Sequence, residues 1–238
     1  MQAIVVLPTY NEAETISNLT GEVIKQKEDV DILIIDDNSP DGTGRIADEL
    51  AQNNPHIKVI HRDKRLGLGT AYKAGFKYAL DEGYDYVISM DVDFSHDPAD
   101  IPKLLNKAGD NDLVIGSRYS GGIRVINWPL RRLFLSVGAN LYLRLITGLK
   151  VEDCTSGYRC YSTEALKKID LDSVKSTGYA FLAEILYKIH RHKLKIEEVP
   201  IVFTERRAGI SKMKKRDILE SMIMPFKVRV NSLFGMSK

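Results

Sequence analysis

The segment Asp85–Pro98, DYVISMDVDFSHDP, begins as an apolar run from Tyr86 to Met90 and ends in Asp91, Asp93 and Asp97. In extended chain, residues i and i+2 face the same side, so Asp91 and Asp93 can aim two carboxylates at one point. Like charges that close are unfavourable unless a cation or strong donors neutralise them. A hard divalent ion such as Mg2+ or Mn2+, shared with substrate phosphates, meets that need. The plainer alternative is a solvated acidic turn that caps the next helix. A second pair, Asp36-Asp37, follows the apolar run ILII. Such acceptor-only groups suit ribose hydroxyls or the donor edge of a nucleobase, or else an N-cap. Gly67-Leu68-Gly69 opens a helical segment, either to bring backbone amides near an anion or simply to turn tightly. It is too short for a Walker loop and lacks the dinucleotide fingerprint.

The elements that must position these residues alternate. AIVVLPTY, DILIIDD, IKVIHR, YDYVISMD and DLVIGSR read as strands, with helical patterns at NEAETISNLTGEVIKQ, GTGRIADELAQNN, GTAYKAGFKYALDEG and PADIPKLLNKAG between them. Continuous apolar strands alternating with helices are the pattern of a parallel sheet covered on both faces. Right-handed crossovers then give a doubly wound α/β sheet that binds ligands at the carboxyl ends of its strands. Thr9–Glu12, Asp36–Asn38 and Asp91–Asp93 all fall just past such an end, on one rim. After Arg118 the alternation stops. WPLRRLFLSVGANLYLRLITG places Leu130, Leu133, Phe134, Val137, Leu141 and Leu145 on one helical face. SVKSTGYAFLAEILYKIHRHK reads as a helix and KIEEVPIVFTERR as a strand. RDILESMIMPFKVRVNSLF carries a second apolar stripe, from Leu219 to Phe234, that Pro225 should kink or break.

The 238 residues suit one large α/β domain, and 44% hydrophobic with 28% charged residues is ordinary for a globular protein. From Arg206 to Lys238 there are nine Lys/Arg and two Asp/Glu, so this tail carries +7 of a total of +2, and the body −5. A basic tail on an acidic body implies an anionic partner: membrane, phosphate or nucleic acid. Its Leu, Met, Ile and Phe stripe is not the aromatic platform of single-strand nucleic-acid binders, so no nucleic acid is expected. Cys154 and Cys160, the only cysteines, imply neither a disulfide framework nor a zinc site. No segment has the pattern of a signal peptide or of a membrane-spanning helix, which points to a cytoplasmic location.

LPTYNE, IDDNSPDGT, RLGLGTA and MDVDFSHDP together resemble the inverting GT-A glycosyltransferases of family two. Further on, GSRY, NWPLRR, DCTSGYR, GYAFLAE and ERRAGISK are similar to the dolichol-phosphate mannose synthases, or polyprenyl-phosphate mannosyltransferases, in order from about Val5 to Lys212. The resemblance implies a GT-A catalytic domain over 1–212, followed by a basic amphipathic helix over 213–238 at the membrane interface. It implies transfer of mannose from GDP-mannose to dolichyl or another polyprenyl phosphate, with inversion and with Mg2+ or Mn2+. By the same resemblance Pro8, Tyr10, Glu12 and Asp37 line the nucleotide pocket. Asp91 stands near the ribose or the metal, and Asp93 and Ser95 at the metal, although some members of the family place Gln where this chain has Ser95. Arg118, Arg132 and Ser136 match positions that hold the acceptor phosphate, and Arg206, Arg207 and Lys212 a basic segment over the diphosphate. Asp93, Arg118 and Arg132 are therefore the expected catalytic residues. Cys154 replaces the family's usual Pro and Leu182 a common Gln. The enzyme is expected to sit peripherally on the cytoplasmic face of a membrane, with a small membrane subunit as one further partner. Two alternatives stand beside this: a glucosyltransferase using UDP-glucose on the same lipid, and a non-catalytic nucleotide-sugar-binding protein at the membrane.

Overall fold

The strands β1 (Ala3–Thr9) and β2 (Val30–Asp36) show why the sheet forms. Ile4, Val6, Leu33 and Ile35 pack on one face, and Ala3, Val5, Leu7, Ile32 and Ile34 on the other. With both faces covered, every position of such a strand is apolar, and each buried Ile, Leu or Val stabilises by about 1.5–3 kcal/mol. The structure is a computed structural model and describes residues 2–26, 30–205 and 215–233.

The sheet continues with β3 (Ile57–His61), β4 (Tyr86–Ser89), β5 (Leu113–Ser117), β7 (Arg159–Ser162) and β8 (Ile196–Pro200), in the order β3-β2-β1-β4-β7-β5-β8. β7 is antiparallel to both its neighbours, and every other pairing is parallel. Helices α1 (Ile16–Ile24), α2 (Thr43–Asn53) and α4 (Ile101–Ala108) cover one face. Helices α3 (Leu68–Asp81), α6 (Thr163–Lys168) and α7 (Ala180–Arg191) cover the other. The short strands β6 (Val125–Ile126) and β9 (Phe203–Thr204) pair beside the main sheet. Two long helices, α5 (Leu130–Thr147) and α8 (Lys215–Leu233), complete the described chain.

The mostly parallel α/β sheet is the one expected. Two local expectations fail and one is narrowed. KIEEVPIVFTERR divides into β8 and β9 in separate sheets, and Pro225 does not break α8, which runs through it as one helix. A proline removes only the bond to the carbonyl four residues back, here that of Ser221, while Met224 and Pro225 are buried against the body. The helix expected from Ser173 starts only at Ala180, because side-chain carboxylates take the backbone amides of Lys175 to Gly178.

β7 carries Arg159, fully buried. Its guanidinium donates to the carbonyls of Ser156 at 2.7 Å, Leu182 at 2.6 Å and Cys154 at 2.7 Å. The segment 153–157 is thereby tied to β7 and α7. Arg159→Leu leaves the carbonyls of Cys154 and Ser156 unpaired, at about 1–3 kcal/mol each, while the Leu182 carbonyl keeps its bond within α7. Urea unfolding should show a loss of at least ~2 kcal/mol, and Arg159→Lys should recover part of it.

Candidate active site

β1 has β2 on one side and β4 on the other, the point where crossovers change direction and loops part. A cavity of about 270 Å³ opens there. Pro8 reaches it from the end of β1, Tyr10 and Glu12 from the turn after β1, Asp37 from the turn after β2, and Asp91 and Asp93 from the turn after β4. Arg65 to Leu68 ahead of α3, Thr177 to Tyr179 ahead of α7, and Asp217 of α8 close the far side. A larger hollow of about 430 Å³ between α7 and the start of β8 contains none of these residues.

Side chains from one turn hold the backbone of the next. Asn11, at φ 57°, donates its N–H to Ser39 Oγ at 3.0 Å, and Glu12 donates to Thr43 Oγ1 at 2.9 Å. The adjacent acids Asp36 and Asp37 divide their work. Asp36 accepts from Thr9 Oγ1 at 3.0 Å and Ser39 Oγ at 2.5 Å, pinning two turns together, while Asp37 faces the cavity. Arg62, just beyond β3, donates through Nε to Asp37 Oδ1 at 2.5 Å and through Nη1 to Thr70 Oγ1 at 2.8 Å. Burial nevertheless outweighs Arg62 and holds the Asp37 carboxyl above the usual carboxylate range. Arg65 lies 4.6 Å from the centre of the Tyr10 ring, within cation–π reach.

Gly67 and Gly69 serve a close approach of backbones. A Cβ on Gly67, at φ 106°, would lie 2.6 Å from Thr177 O, and one on Gly69 would lie 2.5 Å from Phe181 Cβ. The Gly69 N–H donates to Thr177 O at 2.9 Å, so it is not offered to an anion.

The acid turn is built tightly. Asp93 Oδ1 accepts from Ser95 N at 3.1 Å and Ser95 Oγ at 2.5 Å. Phe94 between them has φ 59°, a left-handed conformation that is strained for a bulky side chain. Tyr72 donates to Asp91 Oδ1 at 3.3 Å, and the Asp91 N–H donates to His96 Nδ1 at 3.2 Å. Burial lowers His96 to about 4 despite the neighbouring Asp93, so the ring is neutral at pH 7 and holds the turn. It stacks on Tyr158 at 4.9 Å.

Among the described residues, Glu12, Asp37, Asp91, Asp93 and Asp217 line the cavity against the guanidinium of Arg65. An anionic ligand fits such a wall only with added positive charge. Asp91 and Asp93 supply hard oxygen donors suited to Mg2+ or Mn2+. Among the described residues no three His, Cys, Asp or Glu side chains converge to hold a metal unaided. Two such donors would leave the rest of an ion's shell to water and phosphate oxygens. Ser95, buried and hydrogen-bonded to Asp93, lies behind this wall and is not part of it.

The arginines form a second cluster. Arg118, buried, donates through Nε and Nη2 to the two oxygens of Asp153 at 2.7 and 2.6 Å, and through Nη2 to Thr155 Oγ1 at 2.6 Å. Burial pushes the Asp153 carboxyl up, but Arg118 outweighs it and the net shift is downward. Arg132 pairs with Glu205. The guanidinium carbons of Arg118 and Arg132 lie 5.6 and 4.1 Å from the centre of the Trp128 ring, so one indole serves both. Ser136 Oγ is 2.6 Å from Tyr119 Oη, and Asn140 joins the Ser136 carbonyl at 2.9 Å to Thr155 Oγ1 at 3.3 Å. Trp128 Nε1 is buried with no partner among the described residues.

β9 joins the two clusters. Phe203 lies 5.4 Å from His96, 5.3 Å from Trp128 and 5.5 Å from the Arg118 guanidinium, and the Thr204 N–H donates to Ser95 O at 3.3 Å. Pro8, Tyr10, Glu12, Asp37, Asp91 and Asp93 are thus brought to the cavity, and Arg118, Arg132 and Ser136 to the adjoining cluster. Arg206, Arg207 and Lys212 lie outside the described residues. Sequence reasoning missed Arg62, Asp153, Asn140 and Trp128 as supports. For Arg62, a basic residue at the end of the strand IKVIHR, on the same rim as the acids, was the available signal.

A crossed-over parallel sheet with an acid-lined cavity at its carboxyl rim and one antiparallel strand defines the GT-A glycosyltransferase class. The chain belongs to glycosyl transferase family 2, whose model matches residues 4–170. It is 46% identical to "Polyprenol monophosphomannose synthase" of Mycolicibacterium smegmatis, covering 93% of this chain and 84% of that one. It is 42% identical to "Undecaprenyl-phosphate mannosyltransferase" of Micrococcus luteus, covering 94% of this chain and 92% of that one. Among solved structures it is similar to glucosyl-3-phosphoglycerate synthase from Mycobacterium tuberculosis in complex with Mn2+ and UDP-glucose. That match has a TM-score of 0.66 at 20% identity, over 94% of this chain and 78% of the other.

Gly69→Ala tests the tight joint between α3 and α7. Its methyl would meet Phe181 Cβ at 2.5 Å, close to backbone that cannot swing aside. Chemical denaturation should show a loss of about 1–3 kcal/mol, the cost of overpacking a filled site.

Proposed function

We propose that this enzyme transfers mannose from GDP-mannose to a polyprenyl phosphate such as dolichyl phosphate, with inversion at the anomeric carbon. The observation that carries the reading is the adjoining of two unlike sites across β9, an acid-lined cavity and a paired-arginine cluster. The first suits a metal-bound nucleoside diphosphate and the second an incoming phosphate. The names of the relatives in Mycolicibacterium smegmatis and Micrococcus luteus support mannose and a polyprenyl phosphate as the partners.

In this reaction a phosphate oxygen of the lipid forms a bond to the anomeric carbon, while the bond from that carbon to the diphosphate breaks and GDP leaves. A lipid phosphate is already ionised at neutral pH, so no general base is required. The neutral, ring-stacked His96 accords with that. The protein's task is positioning and charge stabilisation. Asp37, Tyr10, Pro8 and Glu12 hold the nucleoside end, with Arg62 setting the orientation of Asp37. Asp91 and Asp93 hold Mg2+ or Mn2+, which when bound offsets the charge of the diphosphate. Ser95 orients Asp93. Arg118 has two of its three nitrogens on Asp153, so Arg132, Nη1 of Arg118, Trp128 Nε1–H and Ser136 are the groups for the acceptor phosphate. Arg206, Arg207 and Lys212 keep the role over the diphosphate that the family resemblance implies.

The same reading places the lipid. On α5, Leu130, Phe134, Leu135 and Leu145 are each more than 70% exposed, and on α8 Leu219, Met222 and Phe226 are each more than half exposed. No helix of the described residues is long and apolar enough to cross a membrane. Amphipathic helices with basic neighbours can lie in the headgroup layer with their apolar side among acyl chains. We infer a peripheral seat on the cytoplasmic face, through α5 and the 213–238 segment.

Purified protein incubated with GDP-mannose or UDP-glucose, dolichyl or undecaprenyl phosphate, and Mg2+ or Mn2+ tests the reading. GDP and a mannosylated lipid phosphate are the expected products; release of UDP in place of GDP would overturn the choice of donor. Asp93→Asn should lower turnover at least ~100-fold, the scale of losing one electrostatic contact, and excess EDTA should abolish it. Full activity under either condition refutes the metal site. Arg132→Gln should raise the acceptor KM about tenfold or more with the donor KM unchanged. A rise confined to the donor KM would reverse the two assignments.

A further inference from the structure

The loop ahead of α7 is held in an unusual way. Four consecutive backbone amides are taken by two carboxylates from different helices. Glu184 of α7 accepts from Lys175 N at 3.1 Å and Ser176 N at 2.9 Å. Glu220 of α8 accepts from Thr177 N at 2.9 Å and Gly178 N at 3.2 Å. The Thr177 carbonyl in turn accepts the Gly69 N–H from the first turn of α3, at 2.9 Å. A strut therefore runs from α8 through this loop to α3, and Thr177 and Gly178 at its centre line the cavity with Asp217 of α8.

The joint is close. A Cβ on Gly178 would lie 2.9 Å from Glu220 Oε2 and 2.7 Å from Asp217 Oδ1, so a larger residue there would push these carboxylates away from the backbone. Helical spacing turns Asp217, Glu220, Ser221 and Met224 toward the body, while Leu219, Met222 and Phe226 look outward. The surface that serves the lipid and the surface that serves the cavity are thus opposite faces of one helix. Hydrogen bonds from amides to an ionised carboxylate are stronger than neutral ones and fix direction as well as distance.

We propose that Glu220 is a positioning residue of the donor site, which makes α8 part of that site's wall in addition to its role at the membrane. This rests on the reading of the cavity as the nucleotide-sugar site. Glu220 touches no reacting atom; its effect passes through the Thr177 and Gly178 backbone to the bound nucleotide. An α8 that served only as an anchor would change lipid binding and leave nucleotide affinity alone.

The test compares the full-length wild type with Glu220→Ala and the near-isosteric Glu220→Gln. GDP binding with Mn2+ is measured by calorimetry, the donor and acceptor KM by steady-state kinetics, and integrity by thermal unfolding. Glu220→Ala should weaken GDP binding about tenfold and raise the donor KM by a like factor, with the acceptor KM unchanged. Glu220→Gln, which keeps one acceptor oxygen, should lie between the two. Equal GDP affinity in all three proteins overturns the proposal, as does a parallel rise of both KM values. Wild type that binds no GDP with Mn2+ overturns both this proposal and the reading of the cavity beneath it.

Discussion

The described wall of the cavity, with five carboxylates and one guanidinium, repels the kind of ligand that a glycosyltransferase must hold. Everything around it manages that charge. The parallel sheet collects the acids at one rim, because each strand ends facing the same way. The turns then differentiate them. Asp36 is spent on Thr9 and Ser39, Asp37 on Arg62, and Asp93 is braced by Ser95, with Asp91 beside it supported by Tyr72 and His96. Beside Glu12 and Asp217, Asp91 and Asp93 form a pair of oriented oxygen donors for which a divalent cation and its phosphate partners are the natural complement.

The arginine cluster solves the reverse problem. A guanidinium as buried as that of Arg118 is tolerable only with a counterion and satisfied donors. Asp153 supplies the first, and Thr155 shares the second. Aromatic faces from Tyr119, Trp128 and Phe203 surround the same group at 5.4 to 5.6 Å. Such a pair adds little net stability, but it fixes where positive charge sits beside the acid turn. The segment 153–157 that carries Asp153 is itself held by Arg159 and by Glu198, which accepts the amides of Glu152 at 2.6 Å and Asp153 at 2.9 Å.

The long helices turn ordinary core logic outward. In α5 the buried positions are Asn140, Leu143 and Thr147, while Leu130, Phe134, Leu135, Leu141 and Leu145 are exposed. Tyr142 ties α5 to α8, donating to the Met222 carbonyl and meeting the Phe226 ring edge-on at 6.0 Å. Exposed apolar surface of this extent marks an interaction site, and under the proposed function its position beside the arginine cluster suits the lipid acceptor.

The sequence by itself determined the sheet, the rim and most of the chemistry placed on it. Apolar runs that are buried on both faces are legible without coordinates, and turns such as LPTYNE and MDVDFSHDP fall at strand ends by simple counting. It also carried the apolar stripes of α5 and α8, though not which way they face, since periodicity reads the same for a core face and an exposed one. Only the tertiary structure decided the partners of each charge. Asp36 and Asp37 are alike in sequence and part company because Thr9 arrives from β1 to meet the first, with Ser39 of its own turn, and Arg62 arrives from the end of β3 to meet the second. Arg118 looks like an open phosphate clamp until Asp153, thirty-five residues on, closes two of its nitrogens. The amides of Thr177 and Gly178 could have belonged to a helix, had Glu220 not reached them from forty-three and forty-two residues away. Local pattern sets backbone tendency and side-chain type, but pairing across such distances depends on how the chain returns to itself, which no window of sequence contains.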